Sequence, residues 1–166
     1  AIALAKKGWT VSIIEKSHKI KGLGAGIQVS PNGLKVLDDL GVTKYIENTL
    51  FEPDNLELRL GKSGKKIFSI PFKEISVKRW GARYIHVHRD NLIKGFLSVI
   101  ENFENIKILT NKTVVSYNSG EEDITLTLAS GDEISGDLVI GADGLNSTIR
   151  MQMLHKNHPT YTGYMA

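Results

Sequence analysis

The sequence contains no cysteine among its 166 residues. This absence excludes disulfide bridges, thiolate nucleophiles and cysteine-ligated metal sites. No stretch approaches the roughly 18–20 apolar residues that a transmembrane helix needs. No charged segment followed by an apolar one opens the sequence, as a secretory signal would. We therefore expect a cytoplasmic protein without a transmembrane segment.

A marked excess of one charge is also missing, because 21 basic residues stand against 18 acidic ones and leave a net charge of +3. The basic residues form short, scattered pairs at positions 6–7, 65–66 and 78–79. Such pairs are typical of solvated faces and not of a stripe that follows a phosphate backbone. We therefore expect no nucleic-acid partner.

Two histidine pairs are the candidates for a metal site. His86 and His88 lie two apart in a predicted strand and share a face, and His155 and His158 lie three apart. Zinc needs a third protein ligand, and no spacing in the sequence supplies one. We predict no metal.

The apolar pattern is cut off at both ends of the sequence. The first residue is Ala1 and not Met, and an apolar pattern is already under way there. Residues 161–166 stop on an apolar run without a cap or a polar tail. We expect the sequence to be an internal segment of a chain about twice as long.

The first fifty residues alternate between helix and strand signals. Residues 1–7 predict the end of a helix that Gly8 terminates, and residues 10–14 predict a buried strand that ends at Glu15. Ser30 and Pro31 predict the N-cap and first position of a helix. Three leucines then recur at helical spacing up to Gly41.

From about residue 50 the apolar pattern alternates, which favours strands. Residues 56–70 predict a hairpin, residues 84–88 a strand, and Asp90 the cap of a following helix. Closely spaced strands over residues 106–109, 113–117 and 124–129 indicate a β-meander inserted into an α/β domain. Residues 138–140 predict one more buried strand.

The glycines at positions 22, 24 and 26 do not form a dinucleotide fingerprint. That fingerprint is Gly-x-Gly-x-x-Gly between a strand and a helix, and here the spacing differs and no strand precedes. We interpret residues 22–26 as a flexible loop whose backbone approaches a ligand.

Glu15 has two interpretations. In a dinucleotide-binding βαβ unit an acidic residue ends the second strand and accepts hydrogen bonds from ribose hydroxyls. The order of helix end, Gly8, strand and Glu15 matches the second half of such a unit. A solvated carboxylate at a strand end accounts for the same residue when it is taken alone.

The strongest signal lies in residues 137–150. It predicts a buried strand, a tight turn from Gly141 to Gly144 and a helix capped by Asn146 or Ser147. The start of a helix favours anionic groups. Asp143 would be an acceptor at the carboxyl end of the strand, where ligands bind in open α/β sheets.

This run resembles the Asp-Gly fingerprint of the flavoprotein aromatic hydroxylases, the p-hydroxybenzoate and salicylate hydroxylase group. The matching residues are Asp137, Gly141, Asp143, Gly144, Ser147 and Arg150. Residues 14–16, 24–34 and 88–92 are similar to the family in order and spacing, and residues 159–166 resemble the start of its substrate-domain strand. The family's Gly-x-Gly-x-x-Gly would precede Ala1, and its Gly-Asp motif would follow Ala166.

The resemblance implies an FAD site at named residues. Glu15 would hold the adenosine ribose with Lys16 beside it, and Gly26 and Gln28 would line the flavin side of a loop. Arg89 would hydrogen-bond or neutralise the pyrophosphate region.

Three further residues complete the implied site. Val114 would bind near the adenine through its backbone. Asp143 and Gly144 would contact the cofactor, or place the fingerprint loop where flavin and NAD(P)H meet. No catalytic residue is named, because the family's substrate-side bases mostly lie beyond these residues.

The fold implied is α/β, namely a partial FAD-binding Rossmann-like domain of the p-hydroxybenzoate hydroxylase type. It would carry an inserted β-meander and the start of an antiparallel-sheet substrate domain. The expected division is a first FAD-binding segment over 1–48, a substrate-domain hairpin over 49–83, a second FAD-binding segment with the β-meander over 84–154, and the start of the substrate domain over 155–166.

The function implied is hydroxylation of a small aromatic or quinoid substrate. NAD(P)H would reduce FAD, and O₂ would then form a flavin C4a-hydroperoxide that transfers one oxygen. We expect the 166 residues alone to be inactive.

Two alternatives stay open. One is a related flavin enzyme, namely an epoxidase, a halogenase or a prenyl reductase, although the tryptophan-rich motif and catalytic lysine of a halogenase are not visible. The other is a non-catalytic truncated FAD-fold module. The substrate's identity, the choice of NADH or NADPH and the oligomeric state also stay open.

Overall fold

A computed structural model describes residues 1–22, 24–155 and 159–163 of the chain. The chain divides into two compact units, residues 1–12 with 20–107 (unit 1) and residues 13–19 with 108–166 (unit 2). The division expected from the sequence, at residues 48, 83 and 154, assigns segments to FAD binding or to the substrate domain. It stays a prediction. Of the expected start of a substrate domain, residues 156–158 (with His158) and 164–166 lie outside the described residues.

The end of the first helix agrees with its prediction. α1 (Ile2–Ala5) is followed by Gly8 in the left-handed region at φ +87°, and the N–H of Trp9 donates to the carbonyl of Leu4 at 3.2 Å. Glycine adopts this conformation without the steric cost that a Cβ would add. The turn is fixed by Asn105, whose Nδ2 donates to the carbonyls of Ala5 at 3.1 Å and Trp9 at 2.8 Å.

The predicted strand after Gly8 is also present. β1 (Val11–Ile14) pairs with β7 (Ile106–Leu109) in a two-stranded sheet. The N–H of Val11 donates to the carbonyl of Asn105 at 2.8 Å, and the N–H of Glu15 donates to that of Leu109 at 2.9 Å. Residue numbers rise together along both strands, so the strands are parallel.

Three helices form the packed core of unit 1. α2 (Pro31–Leu40) confirms the predicted helix, with Ser30 as N-cap and Gly41 in the left-handed region at φ +79°. It is followed by α3 (Thr43–Ile46), a 3₁₀ turn (Glu47–Thr49) and, later in the chain, α5 (Arg89–Ile100). A Cβ on Gly95 of α5 would lie 2.6 Å from Cγ2 of Ile46, so glycine lets α5 approach α3 closely.

A three-stranded antiparallel sheet lies in the same unit. β6 (Ile85–His88) is its central strand, between β2 (Gly26–Val29) and β3 (Leu50–Phe51). Ile85 and Val87 alternate along β6 and are buried, as expected of a strand with one face on the core. The segment interpreted as a flexible loop at 22–26 therefore leads into a strand. Leu23 lies outside the described residues.

The predicted hairpin is confirmed. β4 (Leu56–Arg59) and β5 (Lys66–Ile70) pair antiparallel, with Leu56 opposite Ile70 and Leu58 opposite Phe68. These apolar side chains share one face. On the other face Glu57 bonds to Arg59 at 2.5 Å and to Lys66 at 3.4 Å.

α4 (Phe72–Trp80) follows the hairpin and was not predicted. Its termination nonetheless has a sequence signal, because Gly81 is its C-cap in the left-handed region at φ +69°. Glu74 lies in the first turn and Lys78 and Arg79 in the last, which suits the helix dipole.

Unit 2 contains the predicted β-meander. β8 (Val114–Ser119), β9 (Ile124–Leu128) and β10 (Glu133–Gly136) pair antiparallel in the order β10-β9-β8. α6 (Thr148–Leu154) is tied to β8 by Gln152, which accepts from the N–H of Tyr117 at 3.0 Å and donates to its carbonyl at 2.5 Å.

The predicted buried strand at residues 138–140 is wrong. These residues belong to no strand, and Leu138 and Ile140 are 54% and 65% exposed. A strand exists only where a neighbour accepts its backbone hydrogen bonds. No strand of the described residues pairs with this run.

Candidate functional site

In unit 2, Glu15 is held at the end of β1 by its own neighbours. The backbone N–H of Ser17 donates to Oε1 of Glu15 at 2.7 Å. This hydrogen bond is the largest cause of a lowered carboxyl pKa at Glu15, to which the charge of Lys16 also contributes. Glu15 therefore offers an ionised acceptor directly after a strand.

The same turn brings the start of β8 towards Glu15. The N–H of Lys112 donates to the carbonyl of Glu15 at 3.0 Å, and that of Asn111 donates to the carbonyl of Ser17 at 3.1 Å. Val114, the first residue of β8, lies two positions beyond Lys112. Backbone hydrogen bonds thus join the segment that contains Glu15 and Lys16 to the segment that leads into Val114.

In unit 1, Gly26, Gln28 and Arg89 come together through the pairing of β2 with β6. Gly26 lies opposite His88, and the N–H of Arg89 donates to the carbonyl of Ala25 at 3.4 Å. A Cβ on Gly26 would meet nothing within 4 Å, so open space lies beside this residue. Gln28 is in a strand and not in the expected loop.

Arg89 is the first residue of α5, and its side chain is exposed. Among residues 1–22, 24–155 and 159–163, no carboxylate forms an ion pair with its guanidinium. A guanidinium carries five N–H donors in a planar fork that suits phosphate oxygens.

The helix that Arg89 begins is capped by His88 and not by Asp90, so that prediction is wrong. Nδ1 of His88 accepts from the N–H of Asp90 at 3.3 Å, which is the bond an N-cap side chain makes. Asp90 instead pairs with Lys94 one turn later at 2.6 Å. This ion pair is the largest cause of a lowered pKa at Asp90.

Gly22 packs directly against the start of α5. A Cβ at this position would lie 2.4 Å from Cα of Asp90 and 2.8 Å from the carbonyl carbon of Arg89. No side chain fits there without moving the backbone. The close approach expected of this glycine-rich segment is thus made, at Gly22, to the backbone that carries Arg89.

The Asp-Gly fingerprint forms a closed hydrogen-bond network. The hydroxyl of Ser147 donates to Oδ1 of Asp143 at 2.5 Å, and the N–H of Ile149 donates to Oδ2 at 3.2 Å. Ser147 also caps α6, as predicted, by accepting from the N–H of Arg150 at 2.9 Å. Both carboxylate oxygens of Asp143 are therefore engaged inside the fingerprint.

The pKa of Asp143 reflects this network. Desolvation pushes the pKa upwards and is the largest single cause. The hydrogen bonds from Ser147, Ile149 and Thr148 together outweigh it, so the pKa lies below its usual value. Asp143 is an ionised residue that fixes the start of α6.

The remaining fingerprint residues fix the turn itself. Arg150 folds back, with its two terminal nitrogens donating to the carbonyls of Gly144 at 3.5 Å and Leu145 at 2.5 Å. A Cβ on Gly141 would lie 2.9 Å from Cγ2 of Ile149, and Gly144 has φ +81°. Five of the six fingerprint residues, all except Asp137, thus have a steric or hydrogen-bonding role.

A row of four rings, three of which line a cavity, was not predicted from the sequence. Phe72 stacks on Tyr84 with centroids 4.5 Å apart, Tyr84 meets His86 edge-on at 5.6 Å, and His86 lies 6.1 Å from Phe51. The Gln28 cavity, of about 300 Å³, is lined by Gln28, Pro53, Asn55, Leu56, Phe72, Tyr84 and His86. The available signal was the two-residue spacing of positions 84 and 86, which puts both rings on one face.

Glu15 and Arg89, each taken by itself, carry chemical groups that suit parts of an FAD molecule. Glu15 supplies a carboxylate of the kind that accepts from ribose hydroxyls, and Arg89 supplies a cation for a pyrophosphate. These two groups lie in different units, as do Arg89 and Asp143.

No cluster of three or more metal-binding side chains occurs in the portion of the chain that the structure describes. His88 is engaged in capping α5. None of the described helices combines the length and apolarity that crossing a bilayer requires.

Comparison with known proteins identifies relatives over almost the whole chain. The family model described as "FAD binding domain" matches residues 1–164. The chain is 30% identical over 166 residues to the 6-hydroxynicotinate 3-monooxygenase of Bordetella bronchiseptica. It is 29% identical over 164 residues to the 3-hydroxybenzoate 6-hydroxylase 1 of Aquipseudomonas alcaligenes. These alignments cover 100% and 99% of this chain but 43% and 42% of the two relatives.

A solved structure has the same fold. The crystal structure of Klebsiella pneumoniae HpxO, complexed with FAD and uric acid, matches with a TM-score of 0.79 and 28% sequence identity. The match covers 92% of this chain and 37% of that protein. The α/β fold of the described residues therefore also occurs in a protein whose crystal structure contains FAD.

Proposed function

Because this chain belongs to the FAD-binding domain family, we propose that it forms the FAD-binding portion of an NAD(P)H-dependent monooxygenase. The proposed reaction hydroxylates a small aromatic or quinoid ring. The proposal draws on relatives whose names state such reactions, on 6-hydroxynicotinate and 3-hydroxybenzoate. It keeps the cytoplasmic location expected from the sequence and the oxygen-transfer route that the resemblance implies.

The observation that carries the proposal is the lining of the Gln28 cavity. It joins a residue expected on the flavin side, Gln28, to Leu56 of the hairpin and to the rings of Phe72, Tyr84 and His86. Aromatic rings prefer offset-stacked and edge-on neighbours, which this wall offers. Its volume of about 300 Å³ is at the lower end of the roughly 300–1,000 Å³ of small-molecule sites.

The chain's own residues would bind and orient the cofactor. Arg89 would neutralise the pyrophosphate, and Glu15 would accept from the adenosine ribose with Lys16 beside it. Val114 would contact the adenine through its backbone, and Gly26 would leave space for the flavin. When bound, FAD supplies the redox chemistry, which is reduction by NAD(P)H and activation of O₂ for transfer of one oxygen atom.

The fingerprint would act through its shape. Since Ser147 and Ile149 engage both carboxylate oxygens of Asp143, we assign Asp143 a positioning role. It would hold the backbone of Gly144 where flavin and NAD(P)H meet, and it would not bind the cofactor through its carboxylate.

The test is a substrate screen on the complete FAD-loaded enzyme. Phenols, benzoates and nicotinates are screened for stimulation of NADH and NADPH oxidation, and ¹⁸O₂ is then traced into the product. The proposal expects at least one ring substrate to speed oxidation and to gain one labelled oxygen. If the flavin is reduced but no compound of the panel gains labelled oxygen, the monooxygenase proposal is wrong and a reductase takes its place.

A further inference from the structure

A second cavity in unit 1 is also lined by the stacked Phe72–Tyr84 pair. This Lys35 cavity, of about 470 Å³, is lined by Ser30, Pro31, Asn32, Lys35, Phe72, Trp80 and Tyr84. It shares only Phe72 and Tyr84 with the Gln28 cavity. None of the residues expected to hold FAD lines it.

The walls of the Lys35 cavity are flat rings. Phe72 and Trp80 begin and end α4 and are two turns apart, so they project from the same side of the helix. Tyr84 stacks on Phe72 with an interplanar angle of 29°. A planar ligand can be sandwiched by such rings at offset-stacked distances.

The charged group of the cavity is Lys35. It lies one turn after Pro31 on α2, and its Nζ reaches the end of α4, 3.4 Å from where a Cβ on Gly81 would be. No carboxylate of residues 1–22, 24–155 and 159–163 pairs with this ammonium. A second cation, Arg79, lies 5.7 Å from the ring centre of Trp80.

The polar side of the cavity offers donors. Oδ1 of Asn32 already accepts from the hydroxyl of Ser30 at 2.5 Å, which leaves the amide NH₂ as the group that Asn32 can offer to a ligand. Lys35 adds three ammonium donors. Positive charge and donors next to aromatic walls complement a flat molecule that ends in a carboxylate, and they disfavour an aromatic cation.

We propose that the Lys35 cavity binds a small planar aromatic acid, with its ring against Phe72, Trp80 and Tyr84 and its carboxylate on Lys35. This site is separate from the Gln28 cavity, and it does not depend on the hydroxylation proposed above. The acid bound in this cavity is an effector, which the enzyme does not consume there.

Trp80 provides a built-in reporter. Residues 1–166 contain two tryptophans, and the other, Trp9, follows α1 and does not line the cavity. In the complete enzyme, titration with benzoate should change the tryptophan fluorescence saturably. Trp80→Phe, which keeps a ring in the cavity, should abolish this change, and Trp9→Phe should leave it. Benzamide tests the charge and cyclohexanecarboxylate tests the ring, so both should bind more weakly than benzoate.

The charge is then removed from the protein. Lys35→Gln should weaken benzoate binding roughly tenfold or more, as expected for loss of a hydrogen bond to a charged group. Lys35→Arg should retain most of the affinity. Lys44→Gln, which removes a lysine of the same unit outside the cavity lining, is the matched control and should leave binding unchanged.

Three results would overturn the site: no saturable signal from Trp80, equal affinity for benzoate and benzamide, or a Lys35→Gln variant that binds like the parent. Steady-state kinetics of the complete enzyme distinguish an effector from a substrate. A loss of kcat/KM for hydroxylation of the acid itself in Lys35→Gln would make this cavity the substrate site and would also overturn the proposal. An effector should change the rate of a second substrate without being consumed.

Discussion

The phenol of Tyr84 donates a hydrogen bond of 2.9 Å to Oε1 of Gln28. Tyr84 immediately precedes β6 and lines both cavities, whereas Gln28 lies opposite His86 in the register of β2 and β6. This bond therefore ties a residue expected on the flavin side to a ring that the Gln28 cavity and the Lys35 cavity share.

Breaking that bond should give a measurable coupling. We expect a double-mutant cycle of Tyr84→Phe and Gln28→Met to yield about 0.5–1.5 kcal/mol in the free energy of unfolding, from urea denaturation. Tyr84→Phe keeps the ring that stacks on Phe72 and therefore isolates the hydroxyl. Additive single effects would show that the bond contributes nothing to stability.

Two glycines of the same segment should respond differently to alanine. Gly22→Ala should lower the free energy of unfolding by about 1–3 kcal/mol, because its Cβ would overlap the backbone of Asp90. Gly26→Ala is the matched control and should leave stability nearly unchanged, since its Cβ enters open space. If the flavin lies beside Gly26, this second variant should instead weaken FAD binding.

Cofactor affinity should depend on Arg89 more than on Lys16. We expect Arg89→Ala to weaken FAD binding to the complete enzyme by roughly tenfold or more, as for a lost charge-assisted hydrogen bond. Lys16→Ala should cost less, because an ammonium is a point charge, whereas the planar guanidinium of Arg89 can donate to two phosphate oxygens at once. The measurement is FAD fluorescence on titration with apoenzyme. Equal losses would contradict the order expected for the two residues, and an unchanged affinity in Arg89→Ala would remove Arg89 from the proposed site.

The cap of α6 should be specific to one of two neighbouring side chains. Ser147→Ala should destabilise the protein by about 1–2 kcal/mol, because it removes the acceptor for the N–H of Arg150 and a donor to Asp143. Asn146→Ala should be close to neutral in the same thermal or urea unfolding experiment. A larger loss for Asn146→Ala would show that the cap has been assigned to the wrong residue.

Acid should loosen the fingerprint in a defined direction. The carboxyl pKa of Asp143 is lowered in the folded protein, so its hydrogen bonds stabilise the fold above the usual aspartate pKa of about 4. That contribution should be lost as the pH falls from about 4 through the lower folded value. In a carboxyl NMR titration, Ser147→Ala should raise the pKa of Asp143 and leave that of Glu15 unchanged.

The elements that could be predicted from the sequence are those whose signals are local. Ser30, Pro31 and Gly41 mark the ends of α2, and alternation across the 61–64 turn specifies the β4–β5 hairpin. The run at 138–140 failed because an apolar pattern does not say whether a strand has a partner. α4 was missed because the face it turns inward carries a serine, the buried Ser76, where a helical pattern needs an apolar residue.

The residues of the candidate site also fall into those with a local sequence signal and those without one. Glu15, Arg89 and the fingerprint could be named because each follows a recognisable local pattern. The pairing of Tyr84 with Gln28 could not, since 56 residues separate them and only the register of β2 on β6 brings them together. Lys35 and Trp80 are likewise brought to one cavity by the packing of α4, which no local signal specifies.

The closed network of Asp143, Ser147 and Arg150 has a consequence for the order of folding. Its bonds join residues only three to six positions apart, so its formation requires almost no loop closure. The contacts of Asn105 with Ala5 and Trp9 span 100 and 96 residues and carry a large closure entropy. The fingerprint turn should therefore be structured early, while the sheet of β1 and β7 is completed late.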